Sequence, residues 1–182
     1  MLVPSLADDI MMLAMHPDEP RDLLNHYGIA DALRLAEILD GVLVGAELPT
    51  YRKLMWILRF EGRATLPRWL EAVVGNGRAV AQRPGLFQSK QHQLLDSASR
   101  TAAQGRLYQG LGGRPPGRSA ALATLVGTGQ LMSWAAGPGD LVAPMNEAAS
   151  RLARGEVAPI GLPPQTLPHF AQVLDKAILL KD

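Results

Sequence analysis

The stretch from Ser119 to Gly139, SAALATLVGTGQLMSWAAGPG, most constrains what this chain can fold into. It is the longest segment without a charged residue and lies between Arg118 and Asp140. A segment of this kind is buried, either in protein or in lipid. Its length approaches the roughly 20 apolar residues that a membrane span needs. Its content points the other way: Thr124, Gly127, Thr128, Gly129, Gln130 and Ser133 dilute it, and Gly127 and Gly129 weaken a helix in the middle. The expectation is two helical pieces at the centre of a water-soluble core, with a bend near Gly127–Gly129.

The rest of the chain suits such a core. A length of 182 residues is most simply one domain, 1–182. Hydrophobic residues make up 47% but aromatics only 5%, so the interior is built from Leu, Ala, Val and Met, which enter helices at little cost. The 18 Gly and 14 Pro cluster between periodic segments and act as punctuation. The composition, rich in Ala, Arg and Pro and poor in Lys, suggests a bacterial source of high GC content.

In order, Ser5 caps a first helix over Leu6–Met15, with Asp8 and Asp9 in its first turn. Ile29–Leu39 forms a second helix with Asp31 and Arg34 as exposed candidates, ended by Gly41 and followed by a short Val42–Val44 strand. Tyr51–Phe60 reads as a mostly buried helix. Thr65 and Pro67 open another, which stops at Gly75-Asn76-Gly77. A hairpin follows, pairing Arg78–Gln82 with Leu86–Gln88 around a Pro84-Gly85 turn. Helices over Leu94–Leu111, Pro138–Leu152 and from Pro163 onward complete the set, the last with a face of Leu167, Phe170, Val173, Leu174, Ala177 and Ile178/Leu180. The predicted class is all-α: a single compact helical bundle with one short β-hairpin.

The formal net charge of +1 argues against a general nucleic-acid binder, and none is expected as partner. With no cysteine, thiolate nucleophiles and Cys-based zinc sites are excluded, and a reducing cytoplasm fits. MLVPSLADDI lacks a basic region followed by an apolar core, so no signal peptide is expected. His16, His26, His92 and His169 have no metal-ligand spacing, and no serine sits in a nucleophile elbow. Catalytic residues, metals and cofactors are therefore not predicted.

Segment order resembles that of the Golgi phosphoprotein 3-like family. Leu6–Met15 is similar to the family's opening "LxEELLLLAL" helix, Leu35–Leu43 to its "LxELALxGRL" element, and Trp69–Val73 to its "WxxxL" helix. Gly77–Val80 through Gly85–Phe87 is placed like its "GVL…LLF" hairpin. Ser119–Leu125 resembles its "RxAALxxL" helix, and Arg151–Arg154 its penultimate one. The resemblance implies an all-α domain with a hydrophobic hairpin and peripheral membrane binding through phosphatidylinositol 4-phosphate. The family's lipid site uses a Trp and an Arg near the second helix, where this chain has Asp22 and Asp31. The Arg-x-x-Arg pair that the family carries before the hairpin is missing. The resemblance thus carries over the fold and not the headgroup site.

Two function classes follow. The first is a non-catalytic peripheral module for an anionic lipid surface, with a phosphoinositide-like headgroup, or for a protein partner. Leu86 and Phe87 would form an apolar tip, with Arg78, Arg83 and Lys90 beside it and Arg114 and Arg118 in a basic loop. Its partners would be the inner face of the cytoplasmic membrane or a second copy meeting through the hairpin. The second class is a small-molecule binder or enzyme of bacterial specialised metabolism, with His16, His26, Tyr27 and Trp56 around a pocket.

Overall fold

Apolar periodicity becomes helices α1 (Leu6–Ala14), α2 (Tyr27–Leu43) and α3 (Tyr51–Gly75), then a hairpin of β1 (Ala79–Gln82) and β2 (Gln91–Leu94). Helices α4 (Ser97–Gly110), α5 (Gly117–Thr128), α6 (Met132–Ala136), α7 (Val142–Ala153) and α8 (Thr166–Leu179) follow. The structure, a computed structural model, describes residues 4–83, 89–137 and 139–181, apart from the side chains of Tyr27 and Arg63. Among the described residues no helix is long and apolar enough to cross a membrane.

The uncharged stretch is the axis of the fold. α5 buries Ser119 through Val126 and packs against α1, α2, α4, α6, α7 and α8. Its small residues permit this crowding. A Cβ on Gly110 of α4 would come within 2.0 Å of the Ser119 carbonyl oxygen, and one on Gly28 of α2 within 2.2 Å of the Gly129 carbonyl oxygen. The stretch breaks as expected: Gly129 ends α5, Gln130 takes φ 60°, and α6 starts at Met132.

Buried arginine chemistry closes the ends of two helices. Arg100, only 6% exposed, donates to the carbonyls of Met12 (3.0 Å), Leu13 (2.6 Å) and Met15 at the end of α1. Its other nitrogen donates to Trp134 (2.7 Å) and Ala135 (3.4 Å) in α6. Arg21 adds bonds of 3.2 Å to the carbonyls of Ala14 and Trp134. These carbonyls have no partner inside their helices, and the guanidinium charges face the negative ends of two helix dipoles.

Several elements differ from the sequence reading. α2 runs through Gly41, so Val42–Leu43 is helical rather than a strand; the left-handed position is Gly45 (φ 101°), with Ala46 N donating to the Gly41 carbonyl at 2.9 Å. Val42 and Leu43 pack on the core, which outweighs their strand preference. α3 is one helix instead of two. Its cap is Thr50, whose hydroxyl accepts from Lys53 N at 3.4 Å, while the buried Thr65 hydroxyl donates back to the Glu61 carbonyl at 3.2 Å. Pro67 is carried inside it. In the hairpin β1 pairs with Gln91–Leu94, in the register Ala79↔Leu94 to Gln82↔Gln91. Pro84-Gly85 and Leu86–Gln88 lie outside the described residues. Leu94 ends that strand, and α4 begins later, where the Asp96 carboxylate accepts from Ser99 N at 3.0 Å. α7 begins later than Pro138, at Val142. Leu180 is exposed past the end of α8.

Exposure differs most in α2 and α3. Asp31 is fully buried (0% exposed), and Arg34 is half-buried between Glu37 (2.7 Å) and Glu61. Over residues 51–60 of α3 only Leu54 and Leu58 are buried, whereas Trp56 is 57% and Phe60 62% exposed.

The close helix crossings give a test. Gly28→Ala and Gly110→Ala should each cost about 1–3 kcal/mol, the usual cost of overpacking. Gly105→Ala in α4, with nothing near the added carbon, should gain about 0.5–1 kcal/mol. Urea denaturation measures all three.

Candidate functional site

Of the five cations expected to flank the hairpin or lead into the central helix, Arg78 and Arg118 are built into the fold. Arg78 bonds the Asp8 carboxylate at 2.6 Å and Asp96 at 3.1 Å, and these acids hold its guanidinium above the ordinary range. Arg118 pairs with Asp40 at 2.9 Å and bonds the Pro4 carbonyl, while Asp40 also accepts from Leu6 N at 2.8 Å. A third arginine, Arg106, bonds the buried Asp9 through two nitrogens at 2.6 and 2.8 Å. All three therefore anchor α1. Arg83, Lys90 and Arg114 are exposed. Leu86 and Phe87 lie outside the described residues.

The residues of the expected pocket are not gathered in one place. His16 is half-buried, and its Nδ1 accepts from Asp18 N at 3.2 Å. His26 stands just before α2, edge-on to Trp134 with ring centroids 4.6 Å apart, and burial lowers its pKa. It lines a groove with Leu24, Ala30, Leu66 and Pro67 that also reaches Leu180 and Lys181. Tyr27 opens α2, and its side chain lies outside the described set. Trp56 belongs to a different opening.

That opening is a cleft of about 610 Å³ between α3 and the end of α8, within the range of small-molecule sites. Met55, Trp56, Leu58, Phe60, Ala177 and Leu180 make it largely apolar, and Arg59 and Lys181 stand with them. Asp31 of α2 is its buried acid. Asp31 Oδ2 accepts from Lys181 Nζ at 2.6 Å, and Oδ1 has no hydrogen-bond partner among the described residues. A Cβ at Gly62 would come within 2.8 Å of Oδ1, so glycine there leaves the carboxylate room. Burial raises the pKa of Asp31, and the Lys181 ammonium offsets only part of that effect.

Along α3 the exposed side chains form a second feature. Arg52, Lys53, Trp56, Arg59 and Phe60 are exposed and recur at helical spacing on one side. The Trp56 and Phe60 rings lie 5.1 Å apart, and the Arg59 guanidinium sits 5.8 Å over the Phe60 ring. The sequence reading placed Trp56 in a pocket but passed over Arg52, Lys53, Arg59 and Phe60. The available signal was the spacing 52, 56, 59 and 60, where cations alternate with aromatic rings on one helix face. Among the described residues no group of three or more His, Cys, Asp or Glu is placed to hold a metal.

The Asp31 carboxylate yields a pH prediction. Its pKa is raised in the fold, so between the ordinary value of 3.8 and the raised one the folded state binds more protons than the unfolded state. Stability from this group therefore falls as pH rises through that window. The advantage of Asp31→Asn over the natural protein should grow across it and then level off, as measured by urea titration at stepped pH. No family model matches this chain, and no curated protein or solved structure matches it.

Proposed function

We propose that this chain is a non-catalytic peripheral binding module that docks on an anionic membrane surface through the first half of α3. The observation that carries the reading is the exposed Trp56–Phe60 pair on a face that also presents Arg52, Lys53 and Arg59. Trp and Phe gain by leaving water for the headgroup–acyl boundary, and the Trp ring keeps a polar edge for the interface. Each cation close to an anionic bilayer adds about 1 kcal/mol, so three supply about 3 kcal/mol, less than the roughly 5.5 kcal/mol of a single acyl chain, and the aromatic pair must add the rest. The result is a reversible attachment, on the inner face of the cytoplasmic membrane.

This reading keeps the function class expected from sequence but moves its centre from the hairpin to α3. Arg78 and Arg118 are committed to Asp8, Asp96 and Asp40, while the α3 cations face outward. Arg83 and Lys90 extend the basic character at the hairpin. A phosphoinositide-like headgroup is the finer form of the proposal, as one of the multivalent anions such a face attracts.

Vesicle co-sedimentation tests it. The protein should pellet with phosphatidylcholine vesicles containing anionic phosphatidylserine or a phosphoinositide and stay in solution with phosphatidylcholine alone. Binding should weaken strongly between 0.05 and 0.5 M salt, as the screening length shrinks. The triple change Arg52→Gln, Lys53→Gln, Arg59→Gln should lower the partition coefficient about 100-fold, the equivalent of 3 kcal/mol. The pair Trp56→Ser and Phe60→Ser should abolish binding at 0.15 M salt. Unchanged partition of either variant would overturn the α3 assignment.

A further inference from the structure

We propose that the cleft between α3 and α8 binds a primary ammonium group carried on an apolar body, with Asp31 as its counter-ion and Lys181 as the built-in competitor that holds its place. Asp31 is a carboxylate with 0% exposure, and an ion buried so completely needs its acceptor positions filled. One oxygen is filled by the Lys181 ammonium at 2.6 Å, and the other has no partner among the described residues. That second oxygen packs against Gly62 of α3, where an added Cβ would stand only 2.8 Å from it.

The arrangement already shows which chemistry the carboxylate takes in this setting: an N–H donor with a positive charge on an aliphatic stem. Lys181 supplies it from just past the end of α8 and is partly exposed, so it can swing into water when displaced. The volume beside it, about 610 Å³, is more than one lysine tip fills. Its walls include Met55, Ala177 and the two aromatic rings of Trp56 and Phe60, which suit the flank of an organic cation as well as its apolar body. The remaining cation of the cleft, Arg59, is exposed and lies over the Phe60 ring. Exchange of Lys181 for an incoming ammonium therefore leaves the buried charge balance unchanged. This inference does not depend on membrane docking, since a dissolved amine probes it without a bilayer.

Isothermal titration with phenethylammonium chloride provides the test, with phenethyl alcohol as the neutral match. The natural protein should bind the amine one to one and the alcohol at least tenfold more weakly. Lys181→Ala, which removes the competitor at a partly exposed position, should bind the amine at least threefold more tightly. Asp31→Asn should lose amine binding, and Trp56→Ala, changed at an exposed site, should weaken it several-fold. A second arm compares vesicles of phosphatidylethanolamine with those of phosphatidylcholine, whose quaternary headgroup has no N–H. Preference for phosphatidylethanolamine that disappears in Asp31→Asn identifies a lipid source, and binding of the dissolved amine alone identifies a soluble one. The proposal is overturned by absence of amine binding in both the natural protein and Lys181→Ala, by equal binding of the alcohol, or by weaker binding in Lys181→Ala.

Discussion

The guanidinium of Arg100 is the interaction on which the rest of the structure depends. It sits in the interior, has no acid partner among the described residues and is satisfied by main-chain carbonyls from the ends of α1 and α6. Helix ends leave carbonyls without intrahelical partners, and burying them without donors would cost several kcal/mol. One planar group with five N–H donors solves that problem for two helices at once. Arg21 seconds it, bonding Ala14 and Trp134 with its guanidinium 5.1 Å over the Trp134 ring. Burial lowers the pKa of both arginines, yet an arginine remains charged far above neutral pH, so the lock holds across the physiological range. α6 has only five residues and cannot hold its own shape in water; this contact and the packing of Met132 and Ala135 hold it against the core.

Around that lock, charge is distributed by function. Three arginines, Arg78, Arg106 and Arg118, are taken up by Asp8, Asp9 and Asp40 to fasten α1 to its neighbours. Arg34 and Arg68 converge with the Trp69 N–H on Glu37, whose pKa is lowered by these partners despite its burial. A chain of net charge +1 that invests its arginines in this way leaves outward-facing cations in particular places. The first half of α3 is such a place, and its exposed aromatic pair gives it a chemical character that a solvated charged face lacks. The same helix borders the Asp31 cleft, so surface and cleft share Trp56 and Phe60.

Much of the fold was legible because the signals were local. Ser5 before an acidic first turn marked the start of α1, and the uncharged Ser119–Gly139 stretch marked both the central helix and its break. Errors arose where tertiary contacts overrode local preference. Val42 and Leu43 have branched or apolar side chains that suit a strand, but they complete the apolar side of α2. Pro67 marks a helix start in isolation, yet it is tolerated within α3, where Trp69 and Leu70 beyond it are held against the body of the protein. Tyr51–Phe60, Trp56 included, read as mostly buried because large apolar residues usually are, and spacing alone could not tell that Leu54 and Leu58 had taken the inward side. The Asp31–Lys181 contact joins residues 150 positions apart, and no pattern in the sequence connects them. Arg100 was equally hidden, since a lone arginine in a helix gives no sign that it will be buried.

The central claim, that α3 is the contact surface, is tested most directly by amide hydrogen exchange with and without anionic vesicles. The account predicts added protection in the first half of α3, around Trp56 and Phe60, and at the end of α8 beside it. Protection confined to β1 and β2, or none anywhere on vesicles that bind the protein, would contradict it.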